Sequence, residues 1–129
     1  MDTRAAADRA ASIICDRAGR APQVGLICGT GFAACTDVLN ERVTIPFETL
    51  GFRPSAIPDH VNEVDIGELD GTMVAAIKAK VLPCDGATWQ ESGLPARSLA
   101  RAGCHTLLYS ANSGSMRQDV GPGSFLTLT

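Results

Sequence analysis

Aromatic side chains are scarce in this sequence of 129 residues, at 5% of the total: one Trp, one Tyr and four Phe. The core must therefore be built mainly from Ala, Val, Ile and Leu. A basic excess is also absent, because 11 Lys and Arg stand against 14 Asp and Glu, which gives a net charge of -3. Nucleic-acid-binding proteins usually have the opposite balance, so we expect no nucleic-acid partner.

Long apolar runs are missing as well. No run approaches the roughly 18 residues of a membrane-spanning helix, and the opening segment MDTRAAADRAAS carries too many charges for a secretion signal. We therefore expect a cytoplasmic protein with no membrane partner. Apolar residues make up 45% and charged residues 19%, as in ordinary globular proteins, and the length fits one domain over residues 1–129.

Cysteine and histidine show no metal-binding or disulfide pattern. The number of cysteines is odd and no two of them have the C-x-x-C spacing; they are Cys15, Cys28, Cys35, Cys84 and Cys104. Neither a disulfide framework nor a zinc site is expected from this arrangement. The contexts of Cys15, Cys28 and Cys104 are those of small buried hydrophobes. The two histidines have no partners at ligand spacing, so no metal is expected.

The first third of the chain predicts a helix, a strand and a glycine-rich turn. Residues 2–18 are rich in Ala and Arg and end at Gly19, and residues 23–28 form a short apolar run between Pro22 and Gly29. Gly29-Thr30-Gly31 then leads into a short helix. Strand, Gly-x-Gly and helix is an arrangement that binds anions, because glycine lets backbone N–H groups approach an oxyanion. Tight turns after strands need glycine for geometry alone, so both interpretations remain open here.

The remainder predicts strands and one more helix. Asp70-Gly71 is a two-residue hairpin turn between a half-buried strand 63–69 and a more central strand 72–79. Before this hairpin we expect an edge strand 43–47 and a loop 51–60, and after it a loop 80–87. A helix 88–102, which starts or restarts at Pro95, is expected next. It is followed by a buried strand 105–111, a polar turn 112–115 and a last strand 125–128 in which the chain ends. Helices that alternate with apolar strands indicate an α/β fold, with a mixed β-sheet flanked by helices.

Two polar turns follow buried strands in this scheme, Gly29–Gly31 and Asn112–Gly114. In open α/β sheets, ligands bind at such carboxyl ends of strands. The residues alone therefore predict a site for a small anionic ligand. The alternative is that both turns are structural and bind nothing.

Six short segments, in this order and spacing, resemble motifs of one enzyme family. They are Gly29-Thr30-Gly31, Pro58-Asp59-His60, Gly67-Glu68-Leu69-Asp70-Gly71, Ala102-Gly103-Cys104, Ala111-Asn112-Ser113-Gly114-Ser115 and Val120-Gly121-Pro122-Gly123-Ser124. The chain resembles the N-terminal half of the trimeric purine nucleoside phosphorylases, a family that also includes methylthioadenosine phosphorylases. The resemblance implies the fold of that half and a trimer.

The resemblance also implies a reaction and a set of site residues. In this family, phosphate attacks the anomeric carbon of a purine nucleoside and the base leaves, so inorganic phosphate is a co-substrate and no other cofactor is implied. Phosphate binding carries over to Gly29, Thr30, Gly31, His60, Lys80 and Asn112, and substrate contacts carry over to Ser113 and Gly114. No catalytic residue carries over. From the residues alone, His60 is equally a solvated loop residue, and Lys80 is more often a solvated surface charge than a phosphate contact.

Several positions depart from the family pattern. Lys80 replaces an arginine, Leu82 a histidine, Cys84 the sugar-stacking tyrosine, Asp59 a glycine and Ala111 an asparagine. Cys84 reads as a neutral replacement rather than a nucleophile, because no base lies near it in sequence. The half that holds the purine is not matched. We therefore expect a truncated phosphorylase of purine salvage that is weakly active or inactive alone. The alternative is a non-catalytic phosphate-binding or interaction half-domain that needs a partner chain, such as a complementing C-terminal half.

Overall fold

A mixed sheet of five strands forms the centre of a computed structural model that describes residues 1–128. The strands are β1 (Val24–Ile27), β2 (Asn40–Pro46), β3 (Glu63–Leu69), β4 (Thr72–Ile77) and β5 (Thr106–Tyr109), in the spatial order β2-β3-β4-β1-β5. β1 pairs in parallel with β4 and with β5, whereas β2, β3 and β4 form an antiparallel meander. The predicted α/β fold with a mixed sheet is confirmed. Thr129, the last position of the predicted domain, lies outside the described residues.

The hairpin between β3 and β4 forms where the sequence predicts it. Asp70 and Gly71 both have positive φ angles, 48° and 81°, which is the two-residue turn whose twist matches that of the flanking strands. β4 lies between β3 and β1, so the prediction that the returning strand is the more central one is correct. β2 lies at the edge of the sheet, as Pro46 requires.

Three α-helices accompany the sheet: α1 (Thr3–Ala18), α2 (Phe47–Leu50) and α3 (Trp89–Ala102). Asp2 caps α1, because its carboxylate accepts the N–H groups of Arg4 and Ala5. α3 begins with a capping box in which Thr88 and Glu91 each bind the other's backbone N–H. The short helix predicted after the glycine turn is a 3₁₀ helix, Ala33–Val38, and a 3₁₀ turn, Pro83–Asp85, lies in the predicted loop 80–87. Among residues 1–128, no helix combines the length and apolar character that a membrane span requires.

The core is aliphatic, as the shortage of aromatic residues predicts. α1 and α3 pack on the sheet and contribute small and branched side chains such as Ala10, Ile14, Leu94 and Leu99, all 2% exposed or less. The aromatic contribution is one edge-to-face pair, Phe47 and Phe52, with ring centroids 5.5 Å apart. Small alanines on α1 let it pack closely, mainly against α3, so little apolar volume is needed to fill the space.

Three expectations for the second half of the chain are wrong. α3 does not start or restart at Pro95 but runs through it, and the Pro95 ring is buried. Proline has no N–H to donate within the helix, and packing of the helix face that carries Leu94 offsets this lost hydrogen bond. β5 is exposed rather than buried, because it lies at the outer edge and pairs with β1 alone. Residues 125–128 form no strand, since no strand pairs with them, and Phe125 is 90% exposed.

The strand β3 is also more deeply buried than its alternating pattern predicts. Val64, Asp65, Ile66 and Gly67 are all buried, because β3 has strands on both sides and the 3₁₀ helix Ala33–Val38 contacts the face that carries Asp65. A polar residue in an alternating strand normally faces water. Asp65 instead points into the protein, where a set of polar partners satisfies it.

Candidate anion site

The topology gathers the predicted site residues at one edge of the sheet. β1, β4 and β5 are parallel, so their carboxyl ends meet there, and they are followed by Gly29–Gly31, by Lys80 and by Asn112–Gly114. β3 runs antiparallel to β4, so it begins at this same edge, and His60 lies just before it. Four separate segments of the chain therefore converge at this edge, which is where ligands bind in open α/β sheets.

The glycine loop, Gly29–Gly31, is tied to the end of β5. The Gly29 N–H donates to Ser110 Oγ at 2.9 Å, and the Ser110 hydroxyl donates to the Ile27 carbonyl at 3.3 Å. A Cβ atom at Gly29 would lie 2.8 Å from the Ser110 carbonyl oxygen, closer than side-chain carbons approach such atoms. Glycine is therefore required at this position by the close approach of two chain segments.

The asparagine turn, Asn112–Gly114, holds the other side of the glycine loop. The Asn112 side-chain amide donates to the Thr30 carbonyl at 2.9 Å. Thr30 and Asn112 are both exposed, so their remaining polar groups face solvent. Ser113 and Gly114, the predicted substrate contacts, lie in the same exposed turn, where the Ser113 hydroxyl donates to the Gly114 carbonyl at 3.2 Å.

His60 links Thr30 to the loop before β3. Its Nε2 lies 3.1 Å from Thr30 Oγ1, and its Nδ1 lies 2.9 Å from Ser55 Oγ. Ser55 Oγ also accepts the Ile57 N–H at 3.2 Å. The imidazole of His60 therefore bridges two hydroxyls, and in the neutral ring one nitrogen donates while the other accepts. With Nε2 as the donor, the Thr30 hydroxyl keeps its own proton free to donate to an anion.

Lys80 brings a positive charge to the glycine loop. A Cβ atom at Gly29 would lie only 3.3 Å from Lys80 Nζ, so the ammonium group is beside the loop. Nζ also lies 4.1 Å from the centroid of the Tyr109 ring, at the end of β5. This cation–π contact restrains a flexible side chain. Lys80 is thus held next to the loop rather than extended into solvent.

Asp59 places a negative charge next to His60, and its backbone explains why glycine suits this position. Its φ angle is 67°, in the left-handed region that glycine enters without strain and that Asp and Asn tolerate better than most residues. The side chain is exposed. An anion bound beside His60 would therefore meet a screened but unfavourable carboxylate.

A buried carboxylate anchors the 3₁₀ helix that follows the glycine loop. Asp65 is fully buried and accepts the hydroxyls of Thr36 and Thr44, both at 2.6 Å, while Lys78 Nζ lies 3.1 Å away. Burial pushes the pKa of Asp65 upward, but these hydrogen bonds and the Lys78 charge outweigh it and hold the pKa below its usual value. Thr36 is thereby fixed to the sheet, and this holds the 3₁₀ helix that follows the glycine loop in place.

Three supporting residues escape prediction from sequence. Ser55 orients His60, Ser110 joins the glycine loop to β5, and Asp65 fixes the 3₁₀ helix. Ser110 lies two residues before Asn112, so its position at a strand end is a usable signal. Ser55 and Asp65 carry no such signal. The contact of Ser55 with His60 depends on how their loop is folded, and the contacts of Asp65 come from distant segments. The departures Leu82 and Cys84 lie in the loop after Lys80, and Cys84 is exposed.

The described part of the chain contains no cluster of potential metal ligands. Among residues 1–128, no group of three or more His, Cys, Asp or Glu side chains could hold a metal ion. The site instead offers hydroxyl, imidazole, ammonium and backbone N–H donors. These are the groups that bind an oxyanion such as phosphate.

Comparison with known proteins points to one enzyme family. No protein-family model matches the chain. It is 23% identical over 127 residues to purine nucleoside phosphorylase 1 of Geobacillus stearothermophilus, which covers 98% of this chain and 46% of that protein. It is 24% identical over 123 residues to purine nucleoside phosphorylase 1 of Bacillus subtilis, covering 95% and 45%. The chain is similar to purine nucleoside phosphorylases.

Solved structures agree with this similarity. Isoform 2 of the Schistosoma mansoni purine nucleoside phosphorylase, in complex with cytosine and ribose-1-phosphate, superposes with a TM-score of 0.79 at 26% identity, over 88% of this chain and 40% of that one. A second phosphorylase structure from the same organism, with a monocyclic inhibitor, gives 0.81 at 22% identity, over 92% and 44%. The fold is that of part of a purine nucleoside phosphorylase, and the chain spans about half the length of the relatives it matches.

Proposed function

We propose that this chain carries the phosphate-binding part of a purine nucleoside phosphorylase. The observation that supports it is the convergence of Thr30, His60, Lys80 and Asn112 at one sheet edge, on a fold shared with these enzymes. In the proposed reaction, a phosphate oxygen attacks the anomeric carbon of a purine nucleoside, the bond from sugar to base breaks, and ribose 1-phosphate and free base result.

In this proposal each residue has a distinct role toward phosphate. The Thr30 hydroxyl donates to one phosphate oxygen, and His60, whose Nε2 lies 3.1 Å from Thr30 Oγ1, orients that hydroxyl. Lys80 supplies the charge that offsets the dianion, as a point charge rather than a two-pronged arginine fork. The backbone N–H groups of the glycine loop and of Asn112 complete the cradle. Holding the nucleophile in place removes part of the entropic barrier to attack.

Turnover requires contacts that we propose lie outside this chain. Ser113 and Gly114 are proposed to flank the nucleoside, and they lie in an exposed turn. The resemblance assigns purine binding to the half of the family that this chain does not match, and we propose that the chain corresponds to the N-terminal half. By itself it should bind phosphate and release little or no purine.

The exposed edge of the sheet supports a protein partner for the missing contacts. Among residues 1–128, no strand pairs with the outer edge of β5, and the side chains of Leu108 and Tyr109 on this strand are 55% and 62% exposed. An apolar parallel strand at an open edge is unusual, because parallel sheets are normally covered. We propose that a polypeptide equivalent to the unmatched part of the relatives pairs there. Self-association into the trimer implied by the family resemblance is the competing outcome, and sedimentation of the purified chain separates the two.

The decisive experiment follows purine release and phosphate binding in parallel. Inosine and guanosine are supplied with phosphate to the purified chain alone, and then to the chain mixed with the product of the neighbouring reading frame. Thermal unfolding is recorded in rising phosphate, against sodium chloride of equal ionic strength. We expect stabilisation by phosphate with the chain alone, and purine release only with the partner.

The possible outcomes distinguish the hypotheses. Phosphate stabilisation without purine release in any mixture favours the non-catalytic, phosphate-binding half-domain. Rapid purine release by the chain alone contradicts the proposal that the base contacts come from elsewhere. An unfolding temperature that responds equally to phosphate and chloride shows that the glycine loop and the asparagine turn are structural only, and it refutes the proposed function.

A further inference from the structure

Two cysteines flank the glycine loop and lie close together. Cys28 follows β1 and Cys35 lies in the 3₁₀ helix Ala33–Val38, and their Sγ atoms are 3.6 Å apart. Both are free thiols. We propose that Cys28 and Cys35 are an oxidation site, at which a low-molecular-weight disulfide converts the two thiols into one disulfide bond that clips the glycine loop and weakens its hold on phosphate.

The two thiols differ in a way that assigns their roles. Cys35 is exposed, whereas Cys28 is 1% exposed. Burial, followed by the neighbouring Cys35 thiol, raises the pKa of Cys28 to about 12. An external oxidant therefore meets Cys35 first, as thiolate attack requires an accessible sulfur. Cys28 then acts as the resolving thiol, from a position that small molecules do not reach.

The chemistry balances with the oxidant named. The Cys35 thiolate attacks one sulfur of the small disulfide, breaks its S–S bond and expels one thiolate. The Cys28 sulfur then attacks Cys35 Sγ and expels the second, which takes up the Cys28 proton. Two protein thiols are oxidised by two electrons and one small disulfide is reduced to two thiols.

Closing this bond must disturb the loop. The sulfurs have to approach from 3.6 Å to a bond length of about 2.05 Å. Cys28 is held because its N–H donates to the Ile77 carbonyl at 2.8 Å, and Thr36, next to Cys35, is held by Asp65. The movement is therefore forced into the residues between the two cysteines, which are the glycine loop and the start of the 3₁₀ helix. This consequence for phosphate rests on the proposed function, whereas the disulfide itself does not.

A single tryptic peptide reports the oxidation. Cleavage after Arg20 and Arg42 releases residues 21–42, which contain Cys28 and Cys35 and no other cysteine. The folded protein is treated with oxidised glutathione, unfolded in iodoacetamide and digested. We expect this peptide to lose two hydrogens and to take up no alkyl group, and dithiothreitol before alkylation to restore two alkylation sites. A peptide alkylated at both cysteines, or one that keeps glutathione on Cys35, overturns the proposal.

Variants of the two cysteines test the assigned roles of Cys35 and Cys28. In Cys28→Ala, Cys35 should keep glutathione, because no resolving thiol remains. In Cys35→Ser, an exposed change that leaves folding intact, Cys28 should be alkylated after unfolding and carry no glutathione. Cys84 is an internal control: it is exposed, it lies in a separate peptide, and no other described cysteine contacts it. It should therefore keep glutathione in every oxidised sample that receives no dithiothreitol.

Phosphate binding before and after oxidation tests the effect on the loop. In the Cys84→Ser background, we expect the phosphate concentration that gives half-maximal stabilisation to rise at least about fivefold on oxidation, the lower end of typical coupling between linked events, and to return with dithiothreitol. An unchanged midpoint with the disulfide formed refutes the effect on the loop. If phosphate does not stabilise the reduced protein, the proposed function is refuted. The mass of the tryptic peptide still decides whether the disulfide forms.

Discussion

Replacing Thr30 by valine isolates the hydroxyl that we propose binds phosphate. Valine has nearly the same shape, and Thr30 is exposed, so the folded state should lose little stability without phosphate. A hydrogen bond to a charged group contributes about 1.5–3 kcal/mol, so the dissociation constant for phosphate should rise about 12-fold to 160-fold. At a phosphate concentration about ten times the wild-type dissociation constant, stabilisation should fall from about 1.4 kcal/mol to less than about 0.4 kcal/mol.

Thermal unfolding measures this difference directly. For a chain of this size, about 4 °C accompanies each kcal/mol, so the wild type should gain about 6 °C at that phosphate concentration and Thr30→Val less than about 2 °C. Thr49→Val, an exposed change on α2, is the matched control and should respond to phosphate as the wild type does. If Thr30→Val and the control share one phosphate midpoint, the hydroxyl does not contact phosphate and the reasoning is refuted.

Substitutions at three further positions test the electrostatics. Lys80→Met should raise the phosphate dissociation constant about tenfold or more, and Lys80→Arg should restore or improve binding, because the guanidinium offers two parallel donors; equal midpoints for Met and Arg would contradict the assigned charge. Asp59→Asn keeps a residue that tolerates positive φ but removes a like charge, so phosphate affinity should rise about twofold at low salt and the gain should fade at high salt. Asp65→Asn should destabilise the fold in a pH-dependent way. The pKa of Asp65 is lowered on folding, so the stabilisation by its charged carboxylate is present above about pH 4 and is lost as pH falls through the folded pKa. Urea unfolding from pH 7 to pH 3 should show the free energies of unfolding of the wild type and Asp65→Asn converging. A difference that stays constant with pH would count against a charged Asp65.

Local signals in the sequence were sufficient for most of the elements. The Asp70-Gly71 turn, the cap of α1 at Gly19 and the short apolar run of β1 each depend on neighbours within a few residues, and the structure has all three. Burial was harder to predict, because it depends on which strands end up side by side. β5 is as apolar as a central strand but lies at an edge, whereas β3 looks half-buried and lies inside.

The candidate site divides in the same way. Gly29–Gly31 and Asn112–Gly114 could be placed at strand ends from sequence, and the topology does bring them together. His60 and Lys80 are assigned to the site by resemblance rather than by any local pattern. The contact from Ser55 to His60 depends on how the loop 51–60 is folded, and the contact from Tyr109 to Lys80 joins segments whose proximity only the completed sheet creates.

The central position of β1 has a consequence for how the chain folds. β1 is the first strand to be synthesised, yet its parallel partners are distant in sequence: Val24 is paired with Val74 on one side and with Thr106 on the other. The meander β2-β3-β4 can form from local contacts, so it should assemble first and present β4 as a template for β1. Until then β1 is an apolar strand without a neighbour, and the nascent chain should be most prone to aggregate, or most dependent on a chaperone, in the interval before β4 emerges.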